Sequence, residues 1–169
     1  MPKGLKQTSG VIQISSLINE SAANTFTSDK VDLQLNVLDR EVFVVLAADL
    51  NVEAPDNLTN TQTQSRMSVS TTERQSVGSL ADSNVIAVAE LKIQNVADTC
   101  AVVTEFASTE SPHAQLEYIA IIATNDFYLN INGVSNTGAI GGSARLWGYR
   151  AQADAATFAA LTQSELLSA

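Results

Sequence analysis

The chain has 169 residues, of which 45% are hydrophobic, so it is long enough and apolar enough to form one domain with a substantial core. Charged residues make up only 16% and the formal net charge is −9, which disfavours direct binding to nucleic acid phosphates or to an anionic membrane surface. The sequence contains no run of about 18 apolar residues and no apolar segment behind the basic start, so we predict neither a membrane span nor a secretory signal peptide.

The N-terminal part of the chain predicts an extended arm. Residues 1–10 lack periodicity and contain Pro2, Gly4 and Gly10. A short strand is expected at 11–14, followed by a polar stretch with one helical turn around Leu17 and Ile18. We therefore assign residues 1–30 to the arm.

Alternating and doubly apolar segments predict a β-rich body over residues 31–153. The segment 41–53 begins apolar on both faces and then alternates, which favours a buried strand, with a helix as the alternative. The segment 56–83 is polar, and we expect it to lie along a surface or to contact a partner, with one short exposed strand inside it. The predicted strands, in chain order, are 11–14, 31–37, 41–53, 66–71, 85–94, 101–106, 116–124, 127–132 and 144–150.

The C-terminal segment, residues 154–169, breaks this strand pattern. Asp154 suits a helix N-cap, and Phe158, Leu161 and Leu166 fall near one helical face. Together the elements predict an all-β fold, an antiparallel β-sandwich of jelly-roll or similar topology, with an extended N-terminal arm and a short C-terminal helix.

The candidate chemical residues all favour structural roles. One cysteine, Cys100, excludes an internal disulfide and is expected to pack in the core or at an edge, whereas His113 is expected in an exposed turn after a proline. Acidic residues around 29–32 and 49–56 offer oxygen ligands for calcium, but they do not form an EF-hand pattern. We predict no catalytic residue, no metal ligand and no cofactor.

Two features near the C-terminus favour packing over ligand binding. The glycine-rich stretch 138–142 precedes a strand, so it predicts a hairpin tip and not a phosphate-binding loop. Arg145, Trp147 and Tyr149 share one face of the last strand, which favours core packing or an interface anchor.

The overall pattern resembles small virion structural proteins of prokaryotic viruses. The likeness is carried by the Ser/Thr/Asn-rich loops, the doubly apolar strands, the N-terminal arm and the glycine-rich hairpin that leads into 144–150. Single jelly-roll major capsid proteins and capsid-decoration proteins are the types it resembles. The resemblance implies a non-enzymatic subunit located in the virion capsid, with copies of itself and other virion proteins as partners.

Two alternatives remain open from the sequence. The first is a carbohydrate- or ligand-binding β-sandwich module on a fibre or cell surface, and the second is a hydrolase that uses two carboxylates. For the assembly hypothesis, residues 1–30 and 56–83 are the expected inter-subunit contacts, because a neutral polar surface costs less to desolvate than a charged one.

Overall fold

A computed structural model describes residues 4–97, 100–106, 109–110 and 116–167. Eleven strands and one α-helix occupy these ranges, with a short 3₁₀ turn at Val37–Asp39 between β3 and β4. The elements are β1 Leu5–Gln7, β2 Ile12–Asn19, β3 Thr27–Asp32, β4 Glu41–Val52, β5 Gln62–Ser70, β6 Val85–Val96, β7 Cys100–Phe106, β8 Thr109–Glu110, β9 Ala120–Ile122, β10 Asp126–Val134, β11 Gly141–Ala153 and α1 Ala155–Leu167.

The strands form two antiparallel sheets with jelly-roll topology. In the first sheet β11 lies between β4 on one side and β1 and β2 on the other. The other edge of β4 pairs with β8 and β9. The second sheet has the order β3-β10-β5-β6-β7. Four of the strand pairs are nested in the sequence, from the outside inward: β2 with β11, β3 with β10, β4 with β9, and β5 with β6. A long hairpin folded over on itself gives this nested pairing, so the predicted β-sandwich of jelly-roll type is confirmed.

The core explains why β4 is apolar on both faces. Phe43 and Val45 point into the main cluster between the two sheets, whereas Val42 and Val44 point to the opposite face of the first sheet. There they meet a second cluster that includes Phe158 and Leu161 of α1. The strand predicted over 41–53 is therefore confirmed, and its outer face is apolar because the C-terminal helix covers it.

The helix begins as the sequence predicts. Asp154 caps it by accepting a hydrogen bond from the Thr157 amide at 2.7 Å. This amide and the Thr157 hydroxyl hold the pKa of Asp154 below its ordinary value, because both bonds favour the carboxylate. In the described part of the chain no helix is long and apolar enough to cross a membrane.

The strand predicted at 66–71 is confirmed as part of β5, but its expected shortness and exposure are wrong, since β5 is a central strand of nine residues and its serines are buried. The outer face of β5 is covered by the loop 71–84, whose Gly78 amide donates to the Ser68 hydroxyl at 2.9 Å. Asn130 of the neighbouring β10 donates to the Ser70 hydroxyl at 2.9 Å. Hydrogen bonds to the loop and to β10 thus let a serine-rich strand lie inside the fold.

Four further expectations need correction. Leu17 and Ile18 lie in β2 and not in a helical turn, because β2 pairs with β11 along its whole length. The strand expected at 31–37 ends at Asp32, since Gln34 has a left-handed backbone (φ 52°) and Arg150 donates to the Leu33 carbonyl at 2.8 Å. The strand expected at 116–124 is reduced to β9, and the glycine-rich stretch 138–142 is not a hairpin tip, because β10 and β11 belong to different sheets.

The segment predicted as an arm supplies strands to both sheets. β1 pairs with β11 through Leu5 and Ala153, β2 pairs with the same strand further along, and β3 begins at Thr27. The division of the chain at residues 30 and 153 stays a prediction.

The loop 71–84 is held by an arginine whose removal we expect to be costly. Arg74 is mostly buried, forms an ion pair with Asp82 at 2.9 Å and donates to the Asn84 side chain at 2.7 Å. We expect Arg74→Ala to lower the free energy of unfolding by about 1–3 kcal/mol, because it removes the ion pair with Asp82 and leaves the side-chain oxygen of the buried Asn84 without this donor. Urea unfolding measures this free energy, with Gln75→Ala at an exposed neighbouring position as the control. An equal loss of stability in the two variants would contradict the prediction.

Candidate assembly surface

Strand β7 is an open edge of the second sheet. It pairs with β6 from Glu90 opposite Phe106 to Val96 opposite Cys100, and it ends the described order of that sheet. All seven of its residues are exposed. An edge strand of this length presents a row of backbone N–H and C=O groups to which another strand can bond.

The side chains of β7 are apolar on both faces. Val102, Val103 and Phe106 are 55%, 59% and 54% exposed, and Glu105 is the one charged residue of the strand. Because successive side chains of a strand point to opposite faces, Val103 lies on one face and Val102 and Phe106 on the other. Water therefore contacts apolar groups on both sides of this edge, an arrangement that favours coverage by a partner.

The opposite edge of the same sheet is protected. β3 carries Asp29, Lys30 and Asp32, and Lys30 forms an ion pair with Asp126 at 3.6 Å. Charged side chains on an edge strand discourage pairing, because a new strand would bury them. The two edges of the second sheet thus differ in their capacity for contact.

An apolar cavity of about 340 Å³ lies beside β7 on the outer face of the second sheet. Its apolar lining comes from Leu80, Val88 and Phe106, and its polar rim includes Arg66 and Glu90, whose charged groups are 3.5 Å apart. A cavity of this size and lining suits an apolar side chain of a partner.

The first sheet also exposes apolar residues at an edge. Val11, Ile12 and Leu17 are exposed beside or on β2. Leu17 lines an open groove of about 680 Å³ that crosses β2, β11 and β4 and is otherwise mostly polar. Arg145 lies in this groove, with its guanidinium 5.5 Å from the Trp147 ring centre.

Of the two predicted chemical residues, Cys100 and His113, the structure describes Cys100. Cys100 is the exposed first residue of β7. Its predicted position at an edge is therefore correct, whereas the predicted packing in the core is wrong. His113 lies outside the described residues. Within the described ranges no three His, Cys, Asp or Glu side chains lie close enough to hold a metal ion together.

The glycine-rich stretch is held by carboxylates that sequence reasoning missed. Glu20 is buried and accepts from the amides of Gly133 at 2.6 Å and Ile140 at 3.1 Å. Asp56 accepts from the hydroxyl and amide of Thr137, which hold its pKa below the ordinary value. These acidic groups therefore bind backbone in the connection between β10 and β11. An isolated glutamate ahead of a polar stretch gives no sequence signal for that role.

Glu165 joins the C-terminal helix to the first sheet. It is buried, and its two carboxylate oxygens accept from the amides of Ala123 and Thr124, each at 2.9 Å. Burial raises the pKa of Glu165 above its ordinary value, because desolvation of the charge outweighs these bonds.

This raised pKa predicts a pH dependence of stability. The contribution of Glu165 is fully present below the pKa of the unfolded chain, near 4.5, and is lost as the pH rises through the higher folded pKa. The melting temperature of the native chain relative to Glu165→Gln is therefore expected to fall as the pH rises from 4. If the melting temperature of the native chain instead rose relative to that of Glu165→Gln over the same pH range, the prediction would be wrong.

Comparisons with solved structures find viral capsid proteins of jelly-roll fold. Merkel cell polyomavirus VP1, solved as an unassembled pentamer, is 6% identical, with 88% of this chain and 98% of that chain covered and a TM-score of 0.47. Trichodysplasia spinulosa-associated polyomavirus VP1, in complex with the GM1 oligosaccharide, is 6% identical over the same shares, with a TM-score of 0.42. The structure of Desmodium yellow mottle tymovirus is 11% identical, with 91% of this chain and 93% of that chain covered and a TM-score of 0.26.

No protein-family model and no curated protein matches the sequence. At these identities the likeness concerns the fold alone, so the function proposed below rests on the surface of this chain.

Proposed function

We propose that the chain is a non-enzymatic structural subunit that assembles with copies of itself into a viral capsid shell or its decoration layer. The observation that carries the proposal is the open β7 edge, apolar on both faces, on a jelly roll in which α1 and the loop 71–84 cover part of the outer face of each sheet. Domains of this topology form virus shells, among other proteins. The proposed location is accordingly the virion.

The surface composition supports repeated contact between subunits. Only 16% of the residues are charged, so much of the surface is neutral and inexpensive to desolvate. The net charge of −9 argues against direct contact with packaged nucleic acid. We propose copies of this chain and other virion proteins as its partners, and a prokaryotic virus as its source.

The carbohydrate-binding alternative has less support. The groove over β2, β11 and β4 has a volume of about 680 Å³, yet the described residues that line it include no aromatic ring on which a sugar could stack. The carboxylate hydrolase has less support still, because the buried Glu20 and Glu165 bind backbone amides.

Light scattering after size-exclusion chromatography tests the proposed function. We expect the purified full chain to form species several times larger than its 17.9 kDa monomer, with the fraction increasing with protein concentration. Electron microscopy of the largest species should show closed shells or regular sheets. A monomer of 17.9 kDa at every concentration and salt condition, alone and with purified virion components, would overturn the proposal.

A further inference from the structure

We infer that β7 of one subunit pairs antiparallel with β7 of a second copy, across a two-fold axis at Val103, so that two second sheets become one continuous sheet. The inference rests on the proposed function and specifies one of its contacts. It names the element, the partner and the register, none of which follows from self-assembly alone.

The first step is that β7 offers a strand-pairing edge. Its seven residues bond to β6 on one side, and the other side ends the described sheet. An added strand would form main-chain hydrogen bonds along this edge and cover the three apolar side chains that flank it. Such pairing satisfies the backbone and the apolar groups together.

The second step is the choice of partner strand. Pairing β7 with the β3 edge of another copy would bring Asp29, Lys30 and Asp32 beside Val102 and Val103, and the charges would lose water without gaining partners. A second β7 brings one charge, Glu105, and otherwise neutral side chains. Between the two edges of the second sheet, the charge pattern therefore favours β7, in a symmetric contact between two identical strands.

The third step is the register. Val103 is the midpoint of Cys100–Phe106, so an axis there uses all seven residues of both strands. It places Glu105 opposite Ala101 of the second copy and separates the two Glu105 residues by four strand positions, roughly 13 Å. An axis at Glu105 would instead place the two carboxylates directly opposite each other, which is destabilising. Full pairing and charge separation thus select the same register.

Cysteine crosslinking tests this contact. Directly opposed residues of antiparallel strands have Cα atoms about 4.5–5.5 Å apart, within the range of about 4.4–6.8 Å that a disulfide spans. We expect Val103→Cys in a Cys100→Ser background to give a disulfide-linked dimer on mild oxidation, seen on a non-reducing gel. The matched control is Ala101→Cys in the same background, which the register places roughly 13 Å from its counterpart and which should not crosslink.

The outcomes separate the contact from the function. The inference is supported if the yield of disulfide-linked dimer from Val103→Cys exceeds the yield from Ala101→Cys by tenfold or more. Equal dimer yields from the two variants would indicate crosslinking by random collision and would overturn the inference. Assemblies seen by light scattering of the same unoxidised samples, without a link at 103, overturn the β7 contact and leave the proposed function standing. No self-association in either variant or in the native chain overturns both.

A mixed sample tests the competing head-to-tail contact. Lys30→Cys on β3, also in the Cys100→Ser background, is combined with Val103→Cys before oxidation. The symmetric contact predicts homodimers of the Val103→Cys chain. Dominant links between positions 30 and 103 would show that β7 binds β3 of the next copy and would overturn the two-fold axis.

Discussion

Gly148→Ala is expected to lower the free energy of unfolding by about 3 kcal/mol or more, which is a large part of the roughly 5–15 kcal/mol that holds a domain folded. A Cβ atom at Gly148 would lie 2.3 Å from the Val44 carbonyl oxygen and 2.6 Å from two carbons of the Phe43 ring. Both neighbours belong to β4, and the closest is backbone, so it cannot rotate away.

The site is sensitive because β11 and β4 change register there. The pairing shifts between Trp147 and Gly148, where the irregularity brings the two strands close together. Both strands are central in the first sheet, so a displacement is transmitted to the main core through Phe43.

Gly138→Ala provides the matched control. Nothing lies within 4 Å of a Cβ atom at that position and its backbone is not left-handed, so a change within about 0.5 kcal/mol is expected. Urea unfolding followed by circular dichroism measures both variants. Equal stability of Gly148→Ala and Gly138→Ala would show that the close approach of β11 to β4 is not as described.

Val103→Asp is expected to weaken self-association by about a hundredfold. The side chain is 59% exposed in the single chain, so the substitution should leave the melting temperature nearly unchanged. In the proposed contact two aspartates would face each other across the axis, and burying such unpaired charges costs about 3 kcal/mol or more, which corresponds to this factor.

Leu38→Asp is the control for this second prediction. Leu38 is almost fully exposed in the 3₁₀ turn, so the substitution removes an apolar group and adds the same charge away from β7. Sedimentation velocity across a concentration series gives the association midpoint of each variant. An equal shift for both variants would attribute the effect to net charge, and no shift for Val103→Asp would remove β7 from the assembly contact.

Elements whose pattern is local could be predicted from the sequence. The doubly apolar start of β4 reflects two apolar clusters, and the helix after Asp154 follows from its cap and its apolar spacing. Strands β6, β10 and β11 are likewise close to their expected positions. For these strands the side-chain period alone identifies the buried face, whereas in α1 Phe158 and Leu161 are covered and Leu166, expected on the same face, is 69% exposed.

Elements whose environment is set by distant residues could not be predicted. Ser68 and Ser70 of β5 can be buried because the loop 71–84 and Asn130 supply hydrogen bonds to them, and no periodic pattern encodes this. The chain leaves the strand conformation after Asp32 because Arg150, 117 positions from Leu33, binds that carbonyl.

The candidate site shows the same limit. Residues 101–106 were predicted as a strand, and β7 confirms it, but the sequence does not say that β7 is an edge. Its position follows from the nested pairing of the jelly roll, which is a property of the whole chain. One of the two contact segments expected from the sequence was 56–83. Much of its part in β5, residues 62–70, is buried within the subunit and so is not available to a partner.

Hydrogen–deuterium exchange of the β7 amides, compared between the dissociated subunit and the assembled form, tests the central claim most directly. We predict that, within residues 100–106, the amides that do not bond to β6 exchange rapidly in the subunit and are strongly protected on assembly, while those from the β3 edge exchange equally in both forms. Assembled material in which residues 100–106 exchange as fast as in the free subunit would contradict the account.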